Sequence, residues 1–283
     1  MSDTAAPLPA RTGRLAADAP LRLVSLIADT PTLLRQTRLA AEGVAEPRYA
    51  VHAAFRRFFG AEHEPLTFYV EPSRDYRTLI RAYSCLRLAE LEKLAATHLS
   101  RLIAHNGIDA AALMPFRFGM SEETRVVPLA TGMRVMFALR CAPLRTGRPR
   151  DGSGPRGTLR EADAFAADRR ALLARLSGEA VPILERQAIL AEARRACYRA
   201  WLVERLLGCR LEEFALDRFQ IEQVLRGTAG QRRTWRLPVA DVRGILVIED
   251  AADFRALLLG GIGRHKAYGL GMLRFRPFAG DAV

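Results

Sequence analysis

Cysteine is scarce in this chain. There are four, Cys85, Cys141, Cys197 and Cys209, and no two of them form a C-x-x-C pair. That spacing argues against a zinc knuckle and against a dithiol redox motif, and reads as small core hydrophobes of a reducing compartment. No apolar run approaches the length of a membrane span, so no membrane association is expected. The first twenty residues are rich in Ala and Pro and lack the apolar stretch of a signal peptide, which points to a cytoplasmic protein. No carboxylate cluster suited to a metal is evident, so neither metal nor cofactor is expected. Lysine is nearly missing as well: Lys93 and Lys266 are the only two.

What is there is arginine. With 43 basic against 31 acidic residues, the formal net charge is +12. An excess of this size favours polyanions such as nucleic acid as partners. A GC-rich genome produces the same arginine bias, but the planar guanidinium also suits phosphate and base-edge binding, because it makes two parallel hydrogen bonds. At 49% hydrophobic and 26% charged residues the chain can build a core, and its 283 residues suffice for one large or two small domains.

Periodicity divides the chain as follows. Residues 1–20 read as a flexible tail, and 21–29 (LRLVSLIAD) as a buried strand. Residues 46–60 read as a helix, with Pro47 in its first turn and Gly60 as its stop. Residues 65–72 and 76–86 read as two strands, and 88–107 as an amphipathic helix ending at Asn106–Gly107. Residues 133–144 read as a further strand. The order β-α-β-β-α-β over 21–144 is that of a ferredoxin-like, or RRM-like, unit. Residues 145–157 (RTGRPRDGSGPRG) read as a linker. Helical segments follow from about 159 to 207, interrupted near Gly178 and Pro182. Strands are expected at 209–227, 234–250 and 270–277, with a short helix at 251–261. Residues 158–283 thus suggest a second unit of the same kind with a helical insertion, its first strand being the hardest to place. The fold class is α+β, two tandem ferredoxin-like domains.

The most specific string is GGIGRHKAYGLG, residues 260–271. Gly261, Gly263, Gly269 and Gly271 form a G-h-G-x5-G-h-G pattern between a helix and the last strand. Glycine lets backbone come close to a ligand, and successive exposed amides hold phosphate oxygens. Arg264, His265 and Lys266 add charge at the centre. A P-loop is excluded because no G-K-[ST] follows, and a Rossmann fingerprint because a strand follows where a helix should. A tight connection that merely needs glycine is the plain alternative.

These residues carry a resemblance. Residues 242–273 (VRGILVIEDAADFRALLLGGIGRHKAYGLGML), with YRAWLVERLLG at 198–208 and GMRVMFALRCAP at 132–143, resemble the CRISPR repeat-processing endoribonucleases of the type I-E branch, the CasE (Cse) family. The likeness runs from about Leu21 to Pro277 and is strongest after residue 196. The tail before residue 21 and the length of 157–195 depart from the family.

The resemblance implies an active site at the start of the first helix, with His52 as catalytic acid or base and Tyr49 assisting it. Their i, i+3 spacing puts both on one helix face, near an N-terminus that favours negative charge. Without the resemblance, a surface histidine beside a core-capping tyrosine is the simpler reading. RNA supplies its own nucleophile, the 2′-OH, so alignment, proton movement and charge stabilisation suffice. Arg56 and Arg57 on the same helix are candidates to neutralise the phosphate. The expected products are a 2′,3′-cyclic phosphate and a 5′-hydroxyl, formed without a metal. His265 is the rival catalytic histidine.

The resemblance further implies that the partners are a CRISPR repeat hairpin, cut at the 3′ base of its stem, and the other subunits of a Cascade-type complex. Candidate RNA contacts are Arg145, Arg148 and Arg150 in the linker, then Arg226, Arg232, Arg233 and Arg236 around a hairpin tip. The glycine segment, with Arg264 and Lys266, is a third. Each cluster reads equally well as a solvated turn. Two other functions stay open: a hairpin-binding subunit that does not cut, and an unrelated RRM-like RNA chaperone. The expected strands lack the aromatic triplet that the chaperone would use to stack bases.

Overall fold

The computed structural model describes residues 19–36, 47–60, 67–71, 76–106, 114–126, 128–147, 160–179, 181–226 and 233–278. All but the last two residues of the expected tail lie outside them.

Strand β1 (Arg22–Asp29) alternates inward and outward residues, and Val24, Leu26 and Ala28 are fully buried. Helices α1 (Thr30–Gln36) and α2 (Pro47–Phe59) follow, then β2 (Phe68–Glu71), β3 (Arg77–Ser84), α3 (Leu88–Asn106) and β4 (Glu122–Arg125). The four strands pair antiparallel in the order β2-β3-β1-β4, the arrangement of a ferredoxin-like sheet. Helix α2 begins at Pro47, whose missing N–H costs nothing in a first turn. It buries Ala50, Val51, Ala54, Phe55, Phe58 and Phe59 against β1 and β3. Phe59 stacks on Phe116 with centroids 5.2 Å apart. This aromatic packing fixes the helix and therefore the direction in which its other face points.

The second unit holds a correction. Residues 134–141, expected to close the first unit, instead form β5 (Arg134–Cys141), which pairs with β9 (Arg233–Ile248) and β10 (Leu273–Pro277). With β8 (Cys209–Arg226) the order is β10-β5-β9-β8, a second ferredoxin-like sheet. The missing first strand of the second unit is therefore the one expected in the first. The true fourth strand of the first unit, β4, is Glu-Glu-Thr-Arg. It lies at a sheet edge with no buried residue, so no alternation marks it.

The expected linker is also revised. Its first residues belong to β6 (Leu144–Gly147), which pairs with β7 (Arg160–Asp163), and residues 148–159 lie outside the described part. After β7 come α4 (Ala166–Ser177), which ends before Gly178, and α5 (Ile183–Val203), which starts after Pro182. Helices α5 and α6 (Ala251–Gly260) bury Tyr198, Trp201, Leu202, Phe254 and Leu258 on the second sheet. The protein is therefore α+β with tandem ferredoxin-like units.

The two units are joined by specific contacts. Thr67 Oγ1 donates to the Leu258 carbonyl at 3.2 Å and Tyr83 OH to the Leu273 carbonyl at 3.0 Å. A small apolar cluster of Ala142, Leu144, Val224, Leu237, Val239, Tyr268 and Leu270 lies at the junction, with Tyr49 of α2 packed against it.

Candidate functional site

The candidate site is built on the N-terminal part of α2. Tyr49 and His52 share a face, their ring centroids 6.5 Å apart. Arg56 is one turn after His52 and exposed; Arg57, also exposed, is rotated by about 100° from it around the axis. His52 is half-buried. Burial holds its imidazole below the ordinary histidine value, and the neighbouring Arg56 charge pushes in the same direction. At neutral pH the ring is therefore mostly uncharged and able to accept a proton.

The glycine segment packs directly against this helix. A 3-10 turn, Lys266–Tyr268, sits between the glycine pairs, and the Tyr268 ring meets the Tyr49 ring with centroids 5.7 Å apart. Gly269 lies against Phe68 and the Arg48 stem, and Gly263 against the Trp201 ring. At Gly261, φ is +65° and a β-carbon would lie 2.1 Å from Thr67 Cγ2. At Gly271, φ is +89° and a β-carbon would lie 2.4 Å from the Ile262 carbonyl oxygen.

These glycines thus serve close packing. The expectation that their amides hold phosphate is corrected at three positions. The N–H of Gly261 donates to Leu257 O at 2.7 Å, that of Gly269 to Lys266 O at 2.9 Å, and that of Gly271 to Arg140 O at 2.8 Å. Backbone groups are satisfied first within the fold, and a satisfied amide is a poor phosphate ligand.

The basic centre of the turn is held from a second side. His265 has φ +62°, a left-handed conformation uncommon for a residue with a β-carbon. Its Nε2 lies 2.8 Å from Glu161 Oε2 on β7, and its ring meets Trp235 edge-on at 4.8 Å. Arg264 donates to the other oxygen of Glu161. Burial would raise the Glu161 carboxyl, but the Arg264 and His265 hydrogen bonds outweigh it and leave it below the usual carboxylate range. Lys266 is half-buried, and burial lowers its ammonium.

An ion cluster ties α2 to the second sheet. Arg48 donates to Glu222 at 2.8 Å; Arg140 donates to the other Glu222 oxygen and to Asp241 at 3.0 Å. Sequence reading missed Arg48, Arg140, Glu161, Glu222, Trp235 and Tyr268. Tyr268 and Arg140 stand inside strings quoted for the resemblance; the contacts that bring the others to the site join residues distant in sequence.

The remaining predicted contacts scatter. Arg145 is exposed and paired with Glu204 at 2.8 Å. Arg226 and Arg233 are opposite each other at the end of the β8–β9 ribbon, with side chains outside the described part. Arg148, Arg150 and Arg232 lie outside the described residues. Arg236 is exposed on the ribbon face opposite Trp235. Among the described residues no helix is long and apolar enough to cross a membrane. No group of three or more His, Cys, Asp or Glu among them could hold a metal ion.

Two ferredoxin-like units, with the histidine-bearing helix α2 against a glycine-rich turn, define a class of tandem-domain protein with a net charge of +12. The sequence profile of the family described as "CRISPR associated protein" matches residues 32–277. The chain belongs to that family. No curated protein sequence matches it. Several solved structures share the fold at low identity. The CRISPR endoribonuclease Cse3 bound to a 19 nt RNA superposes with a TM-score of 0.51 at 17% identity, covering 91% of this chain and all of the other. The CRISPR-associated protein Cas6e from Escherichia coli str. K-12 gives 0.51 at 16% identity, with the same coverage. A chain of a CRISPR RNA-guided surveillance complex gives 0.51 at 20% identity, again covering 91% and 100%.

Proposed function

We propose that this protein is a metal-independent endoribonuclease that binds a CRISPR repeat hairpin and cuts precursor RNA at the 3′ base of the stem. It then stays on the mature guide RNA as a subunit of a Cascade-type complex. The observation that carries this reading is that Tyr49, which shares a face of α2 with His52, packs against Tyr268 of the glycine turn. Family membership and the fold shared with CRISPR endoribonucleases support it. The net charge of +12 suits a phosphate-rich ligand.

In the proposed reaction the His52 imidazole, uncharged at neutral pH, takes the proton of the 2′-OH at the cleavage position. The 2′ oxygen attacks the adjacent phosphorus, the bond to the 5′ oxygen breaks, and that oxygen leaves as a hydroxyl on taking a proton from water. Tyr49 hydrogen-bonds a phosphate oxygen, and Arg56 and Arg57 offset the charge that builds up on the phosphorane. The products are a 2′,3′-cyclic phosphate and a 5′-hydroxyl.

The test is a single-turnover assay on a labelled CRISPR repeat hairpin, with EDTA present. Cleavage unaffected by EDTA, with ends resistant to phosphatase until the cyclic phosphate is opened, is the expected result. Tight binding without cleavage would identify a hairpin-holding subunit instead.

A further inference from the structure

The inserted segment builds a cleft that the candidate cleavage site does not use. It lies between the first turn of α4, α5 and the β8–β9 ribbon, and is lined by Asp163, Ala166, Arg169, Arg170, Arg194, Phe219, Ile221 and Arg236. Its volume is about 490 Å³, within the roughly 300–1,000 Å³ of small-ligand clefts.

The lining is four arginines to one carboxylate. That carboxylate is already engaged: Asp163 Oδ1 accepts from Tyr198 OH at 2.8 Å and from the Phe165 N–H at 3.0 Å. Arg194 lies over the Phe219 ring at 3.9 Å, while its buried Nε has no hydrogen-bond partner among the described residues. Arg169 and Arg170 are exposed on α4, and Ile221 is 45% exposed. A flat apolar wall with a stacked guanidinium, rimmed by exposed cations, is the chemistry that takes a base and its phosphate together.

The strand register separates this cleft from the Tyr49–Tyr268 face. Arg236 is opposite Gln223, Ile221 opposite Pro238 and Phe219 opposite Ala240, whereas Trp235 and Val224 are paired on the other face. The two faces are linked through β7. Glu161 binds Arg264 and His265 of the glycine turn, and Asp163, two residues on, lines the cleft. Two residues of strand span about 7 Å. An RNA strand gripped at the turn is therefore within short reach of the cleft.

We infer that this cleft binds an unpaired nucleotide of the RNA flanking the hairpin, its base against Phe219 and its phosphate among Arg169, Arg170 and Arg236. The inference rests on the RNA-binding reading above. It gives the inserted segment a purpose, which is to hold the single-stranded flank after the stem has docked.

The experiment compares fluorescence anisotropy of a blunt repeat hairpin, the same hairpin with short unpaired flanks, an oligouridine and AMP. The native protein is set against Arg169→Ala/Arg170→Ala, with circular dichroism confirming the fold. The expected result is that flanks tighten native binding by about tenfold, one stacked base and its phosphate contacts. The double variant loses that gain, binds blunt hairpin as before, and lowers the salt slope for flanked RNA by about 1.4. An equal loss for blunt and flanked RNA, or no loss, overturns the inference. So does AMP binding that the double variant abolishes while flanks give no gain, which would mark a free-nucleotide pocket. If native protein neither binds nor cuts the hairpin, the proposed function fails on its own. The cleft is then judged on oligouridine: binding lost in the double variant upholds it, and binding retained overturns it.

Discussion

The Tyr49 ring on α2 and the Tyr268 ring of the glycine turn meet with centroids 5.7 Å apart and planes 30° apart. One belongs to the first ferredoxin-like unit and the other to the second, so the candidate catalytic helix is oriented by the far end of the chain. A tilted aromatic pair contributes about 1 kcal/mol beyond its buried area. A double-mutant cycle on Tyr49→Leu and Tyr268→Leu, read by urea unfolding, should give a coupling of that size. Strictly additive effects would mean that the rings do not meet in solution.

The His52 imidazole should titrate below its ordinary value of about 6.5, by burial first and by Arg56 second. NMR titration of the ring should show this, and Arg56→Ala should move the midpoint part of the way back up. A histidine whose folded pKa is depressed contributes fully above the unfolded value and loses that contribution as pH falls through the folded one. Cleavage with His52 as base should follow the same curve, level above neutrality and declining toward acid. A rate that rises toward acid would make His52 the proton donor.

Gly261→Ala should destabilise the protein by about 3 kcal/mol, combining a left-handed backbone with a collision against Thr67. Thr67→Ser removes the methyl carbon that the new side chain would strike. It should recover part of the loss and leave about 2 kcal/mol, from the backbone conformation and from the Gly271 carbonyl oxygen, 2.8 Å from the new β-carbon. Full recovery, or none, would show that the two causes have been wrongly separated. Thermal unfolding of the three variants reads this directly.

Glu222→Gln leaves Arg48 and Arg140 facing a neutral amide in a partly buried setting. A loss of about 2 kcal/mol is expected, below the cost of breaking a fully buried pair because the side chains keep some water. Burial alone would raise the Glu222 carboxyl, but Arg48 and Arg140 hold it below the usual range. Its contribution is therefore present above the unfolded carboxylate value and lost as pH falls through the folded one. The native protein and the variant should converge in stability in acid; parallel curves down to low pH would contradict this.

Local signals carried most of the element reading, and non-local pairing decided what they missed. Pro47 and Gly60 bracket α2, and Gly178 and Pro182 separate α4 from α5, because helix starts and stops are written in neighbouring residues. The strand at 134–141 was equally visible, but its sheet is set by partners about one hundred residues or more away in β9 and β10. Strand β4 has no buried position to betray it, and β6 and β7 are short. At the site, Tyr49 and His52 were legible through resemblance, and the glycines through their spacing. The reason for the glycines was misread, since their close contacts are with Thr67, Trp201 and Phe68, which no spacing reveals. Glu161 and Glu222 are single carboxylates in polar strands, distinguished only by the arginines that the fold brings to them.

The decisive experiment replaces His52 with Ala and follows one turnover on a repeat hairpin, beside a binding measurement on the same RNA. The expected rate is at least about a hundredfold lower with affinity within about twofold of native, since general base catalysis contributes about 10²–10⁴ and an uncharged imidazole adds no ion pair with phosphate. A variant that still cuts at the native rate would contradict the assignment of His52 as the base.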